Sequence, residues 1–126
     1  MIMKETFEEI VGLVSALRSD GGCEWDRKQT IESMKKDLME EAEEVAEAID
    51  KKDYPNLQEE LGDLLWSICL MAQIAKEEGH FDMGGILKGT KDKIIRRHPH
   101  VFGRERADTP DEAMECFMRA KRAEKA

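Results

Sequence analysis

The sequence predicts an all-α protein, a helical bundle built on a central antiparallel helix hairpin. Three observations lead there. Apolar residues recur three and four apart in five segments; Glu, Lys, Leu, Ala and Met, all good helix formers, dominate the chain; and 3 Pro and 9 Gly in 126 residues are few for a many-turned β-sandwich. That length suits one domain, taken as residues 1–126.

The first helix is expected from Thr6 to Arg18, with Phe7, Ile10, Val11, Val14 and Leu17 on one face and Gly21-Gly22 ending it. A loop holding Cys23-Glu24-Trp25-Asp26 follows. The second runs from Thr30 to Asp50 on the stripe Ile31, Met34, Leu38, Ala42, Val45 and Ile49. After a break at Lys51-Lys52, the third opens with Asp53 or Tyr54 at its N-cap and Pro55 in its first turn, where a missing N–H costs little, and stops at Gly79. Its stripe is Leu57, Leu61, Leu64, Leu65, Ile68, Ala72 and Ala75. The fourth, Met83 to Arg97, ends before Pro99, because proline disfavours helical geometry in the residue preceding it. The last starts with Thr109 as N-cap, Pro110 at the first position and Asp111-Glu112 favouring the dipole.

Charge and cysteine content narrow the function. With 28 acidic and 20 basic residues the net charge is −8, which argues against general adhesion to nucleic acid or anionic membrane. Cys23, Cys69 and Cys116 are odd in number and far apart, so they form neither a disulfide framework nor a paired metal clip, and a reducing cytoplasm fits. Glu5 interrupts the start, unlike a secretory signal, and the apolar stretch Leu64 to Ala75 is broken by Ser67 and Gln73 and too short to span a bilayer.

The acidity is local: between Asp37 and Asp63 lie 11 acids against Lys51 and Lys52. A connection of about four residues pairs the second and third helices antiparallel, placing Glu44 opposite Glu60 and Glu41 opposite Asp63. Glu41 falls between Leu38 and Val45, and Glu60 between Leu57 and Leu64, so both lie within apolar stripes. Glu43 and Glu47 belong to a solvated face. Carboxylates partly removed from water repel one another and cost several kcal/mol to desolvate unless neutralised. All-oxygen donors suit a hard divalent ion, Mg²⁺ or Mn²⁺ before Zn²⁺, and Mg²⁺ commonly shares its shell with phosphates. A di-iron bundle would need Glu-x-x-His pairs, which are absent here.

These acids carry a resemblance. Glu40-Glu41-x-x-Glu44, fifteen residues, then Glu60-x-x-Asp63 is similar to the signature of the all-α nucleoside triphosphate pyrophosphohydrolases. Cys23-x-Trp25-Asp26, Glu60-Leu61-Gly62-Asp63-Leu64-Leu65 and Arg96-Arg97-His98-Pro99-His100-Val101-Phe102-Gly103 narrow it to the MazG type. The resemblance implies Mg²⁺-dependent hydrolysis between the α- and β-phosphates to monophosphate and pyrophosphate by a tight homodimer, with further pairing to a tetramer left open. Glu41, Glu44, Glu60 and Asp63 are then implied metal ligands, and Glu40 holds a second ion or orients the attacking water.

A second charged stretch agrees. From Lys88 to Arg106 there are seven basic residues against Asp92 and Glu105. Lys93 and Arg97, four apart, share a helix face and would clamp triphosphate oxygens, as the family implies; a solvated basic helix end is the plain alternative. Phe117 and Lys121 fall where the family has a tryptophan and a lysine near the nucleotide; phenylalanine keeps a stacking face without the indole N–H. Trp25 is a candidate base contact or a packing anchor. Glu24 stands where the family usually has proline, and His98 and His100 read as structural. A specialised dUTP or phosphoribosyl-ATP enzyme, or a catalytically silent nucleotide sensor, would share this fold. The Arg-Arg-His-Pro-His segment favours the MazG branch and the intact acids favour catalysis.

Overall fold

The structure is a computed structural model that describes residues 2–125. It contains seven helices among the described residues: α1 (Met3–Arg18), α2 (Glu24–Arg27), α3 (Ile31–Asp50), α4 (Tyr54–Glu77), α5 (Met83–Arg96), α6 (Pro99–Phe102) and α7 (Pro110–Ala123). The chain forms two compact units, one ending at Met83 and one starting at Gly84.

In the first unit, α3 and α4 lie against each other and α1 packs on α4. Val14, Met34, Cys69, Leu70 and Ile74 make the core, flanked by Phe7, Ile10, Ile31, Trp66, Met71 and Met83. Both long helices begin with side-chain caps; Asp53 was expected as one, whereas Thr30, expected as the first helical residue, is the other. Thr30 accepts from the Ser33 amide while the Ser33 hydroxyl accepts from the Thr30 amide, so two otherwise orphaned amides are satisfied. Asp53 accepts from the amide of Asn56, with Pro55 in the first turn. Between them Lys52 takes a left-handed conformation, φ 54°. Gly79, φ 78°, closes α4 as a glycine past a helix end commonly does.

The loop after α1 is tighter than its sequence suggests, since residues 24–27 form a helical turn. Arg18 holds it. One guanidinium nitrogen donates to the carbonyls of Asp26 (2.6 Å), Arg27 (3.2 Å) and Gln29 (2.9 Å), while the others grip Glu77 at 2.7 and 3.2 Å.

The expected stripes of α3 and α4 are only half covered. Met34, Ala72 and Ala75 are buried as core residues should be, but Ala42, Ile49, Leu61, Leu65 and Ile68 are exposed, and Ala48, outside the expected stripe, is buried instead. These helices are apolar on two sides, and a single chain covers one of them. No described helix is long and apolar enough to cross a membrane.

In the second unit, α6 packs on α7. Thr109 caps α7 by accepting from the Glu112 amide at 3.1 Å. Glu124 joins the ends of α5 and α7 by accepting from Arg96 at 2.7 Å and from Arg97 at 2.8 and 3.1 Å. The His98 ring nitrogen Nδ1 lies 2.6 Å from the Ile94 carbonyl, and the ring meets Phe117 edge-on at 5.5 Å.

Candidate metal centre

The facing of α3 and α4 brings carboxylates together. One oxygen each from Glu41, Glu60 and Asp63 lies within 4.8 Å of the others. Glu41 and Glu60 are half-buried and Asp63 is exposed. Glu44 stands beside this trio, hydrogen-bonded through its carboxyl to Glu60. Oε2 of Glu41 and Oε2 of Glu60 are buried with no hydrogen-bond partner. A buried acceptor left unpaired is costly, so two in one cluster mark a place where a ligand belongs.

Electrostatics say the same. The Glu60 carboxyl is pushed up to about 7, first by the proton-requiring hydrogen bond to Glu44, then by burial, then by the charges of Glu44, Glu41 and Asp63. Glu41 is also raised, by burial first and next by the charges of Glu44 and Asp63. The nearest cation to this group of acids along α3 is Lys36, 3.9 Å from Glu40, an exposed pair that leaves the trio uncompensated. Hard oxygen donors, orphaned oxygens and mutual repulsion together fit a hard divalent cation.

Beside the trio opens a cavity of about 350 Å³, lined in part by Trp25, Glu40, Glu41 and Asp63. Two of the acids therefore face both the centre and the cavity. Trp25 is well exposed, with the Lys28 ammonium 4.1 Å from its ring centre. Sequence reasoning missed five other lining residues: Gln29, Asp37, Trp66, Ser67 and Leu70. Helical spacing was a usable signal for two of them, since Asp37 precedes Glu41 by four and Trp66 follows Asp63 by three.

The remaining candidates, Lys93, Arg97, Phe117 and Lys121, belong to the second unit. There Arg97 lies 5.7 Å from the Phe117 ring centre. Its guanidinium is engaged by Glu124, whose carboxyl the two arginines hold down at about 2. His100 keeps a buried, unpartnered Nδ1 beside His98 at 5.5 Å.

Residues 29–102 match the family described as the MazG nucleotide pyrophosphohydrolase domain, which is more than half of the chain. The chain belongs to that family. The crystal structure of a MazG-related protein from Thermotoga maritima is similar to it over 91% of this chain and 98% of that one, with a TM-score of 0.76 and 33% identity. The Thermotoga maritima nucleoside triphosphate pyrophosphohydrolase/pyrophosphatase MazG is 52% identical over 104 residues, covering 80% of this chain and 41% of that protein. The Escherichia coli K12 nucleoside triphosphate pyrophosphohydrolase is 38% identical over 120 residues, covering 94% and 46%. The chain thus spans less than half the length of these two relatives.

Proposed function

We propose that this MazG domain hydrolyses nucleoside triphosphates between the α- and β-phosphates, releasing monophosphate and pyrophosphate, with Mg²⁺ as cofactor and Mn²⁺ as a substitute. The observation that carries the reading is the trio Glu41, Glu60 and Asp63 with its two orphaned, buried oxygens. Glu44, hydrogen-bonded to Glu60, completes the proposed ligand set. Bound there, a divalent ion would neutralise charge on phosphate oxygens and make nearby water more acidic.

The chain's own residues supply the rest. Glu41 and Glu60, on facing helices, fix the geometry of the centre. Glu40 lines the cavity beside Glu41, which supports assigning it the role of orienting an attacking water and accepting its proton. Trp25, on the wall of that cavity, offers a surface for the base. Lys93, Arg97, Phe117 and Lys121 of the second unit are proposed as further substrate contacts. Arginine suits phosphate because its planar fork makes paired hydrogen bonds.

The whole chain is proposed to act as one domain in a cytoplasmic homodimer centred on the α3–α4 hairpin. The support is the apolar side of α4, where Leu61, Leu65 and Ile68 lie exposed, together with three free cysteines that suit a reducing compartment.

The deciding experiment incubates the protein with Mg²⁺ and each common nucleoside triphosphate and resolves the products. Monophosphate with pyrophosphate is expected, and Glu41→Gln should abolish it with the helical fold retained. Diphosphate with phosphate would refute the bond assigned. Binding without turnover would make the domain a sensor.

A further inference from the structure

We propose that the cavity beside the acidic trio takes the nucleoside part of the substrate and selects bases bearing an exocyclic amino group, with Asp37 as the specificity-determining residue. This rests on the nucleoside triphosphate reading above and extends it to a class of base.

The first step is which part of a nucleotide the cavity can hold. No lysine or arginine lines it, whereas carboxylates of Asp26, Asp37 and Glu40 do. Such a wall repels phosphate, so the triphosphate belongs at the metal side and a neutral moiety belongs inside. Because Glu41 and Asp63 face both places, a substrate with its phosphates at the trio directs its nucleoside into the cavity. The lining suits a flat heterocycle, since it includes Trp25 and Trp66, the latter packed on the core.

The second step is which edge of that heterocycle is accepted. Both amide atoms of Gln29 are already engaged, Nε2 donating to the Trp25 carbonyl at 3.0 Å and Oε1 accepting from the Ser33 hydroxyl at 2.8 Å. It braces Trp25. Ser67, 6% exposed, has no hydrogen-bond partner among the described residues and lines the same cavity. The carboxylates accept only. Glu40 has Lys36 at 3.9 Å, but Asp37 is half-buried and makes no ion pair among the described residues.

Asp37 lies one helical turn before Glu41, on the cavity's side of α3. Its carboxylate would accept from the amino group of cytosine or adenine, and from two adjacent N–H groups of guanine. Uracil, thymine and hypoxanthine present a carbonyl oxygen where the amino group would be, and oxygen against carboxylate is repulsive.

The test compares kcat/KM with Mg²⁺ for two pairs that differ at that group, CTP against UTP and ATP against ITP. Wild type should prefer the amino member by about 10- to 100-fold, the range expected for one hydrogen bond to a charged group. Asp37→Asn supplies both a donor and an acceptor, and should collapse the preference mainly by raising kcat/KM for UTP and ITP. Equal values within both wild-type pairs, or an unchanged preference in Asp37→Asn, would overturn the proposal.

A second readout needs neither turnover nor metal: quenching of tryptophan fluorescence by cytidine and by uridine in EDTA. Tighter quenching by cytidine that Asp37→Asn removes is expected. If that appears while no triphosphate is hydrolysed, the enzymatic reading fails and the base selection stands. If triphosphates are hydrolysed without base preference and neither nucleoside quenches, the selection fails and the enzymatic reading stands. Failure of both assays overturns both.

Discussion

Binding of Mg²⁺ to the acidic centre should expel a proton, in an amount set by Glu60. In the metal-free protein this carboxyl sits at about 7 instead of its ordinary 4.5, because Glu44 shares a hydrogen bond that needs a proton and burial and neighbouring charge oppose ionisation. Glu41 moves in the same direction, so the proton belongs to the set and not to one oxygen. A divalent ion requires the ionised form. For a group titrating at about 7, binding should release about 0.9 proton at pH 6, about 0.5 at pH 7 and about 0.1 at pH 8. Calorimetry in buffers of different ionisation enthalpy reads this number directly. Glu60→Gln should lower the release at pH 6, leaving only what the raised Glu41 contributes. No release from wild type at pH 6, with Mg²⁺ bound, would refute the reasoning. Stability carries the matching sign. The raised folded value means that the contribution of Glu60 is fully present below about pH 4.5 and lost as pH rises through about 7. In EDTA the Tm contribution of this group should therefore decline between those limits, and Mg²⁺ should offset the decline because its own affinity rises with pH.

Three further perturbations probe separate parts of the molecule. At Gly22 an added Cβ would stand 2.3 Å from the Leu17 carbonyl oxygen and 2.6 Å from that of Ala16, so Gly22→Ala should cost about 2–4 kcal/mol in chemical denaturation and loosen the Trp25 loop. An unchanged midpoint would mean that the turn yields freely. Leu65→Arg, on the exposed apolar side of α4, should leave the helical content intact and convert a homodimer to monomer in sedimentation; a dimer that persists would place the interface elsewhere. Glu124→Gln frees Arg97 from a carboxylate that competes with phosphate for the same fork, and should lower KM for the triphosphate severalfold with kcat unchanged. A raised KM would mean that Glu124 orients Arg97 instead of masking it.

The sequence speaks clearly where a residue's role depends on its near neighbours. Asp53 and Thr109 were legible as caps because a cap is decided within three residues, and Gly79 as a stop because the left-handed turn has a local cost. The acids were legible for a related reason: a three-residue break leaves α3 and α4 little freedom of register, so spacing within each helix fixes who meets whom across the pair. Arg18 was not legible. Its partners are carbonyls 8, 9 and 11 residues on and a carboxylate 59 residues away, and backbone acceptors leave no trace in residue identity. Periodicity also failed to sort Leu64, which is half-buried, from Leu61 and Leu65, which are exposed. It reports that a side is apolar and is silent on what covers it. The same ambiguity explains Glu41 and Glu60. An acid within an apolar stripe is a defect when the stripe meets only core, and becomes a ligand when a second acid faces it across the seam. In this chain the orphaned oxygens on both sides of that seam support the proposed ligand role.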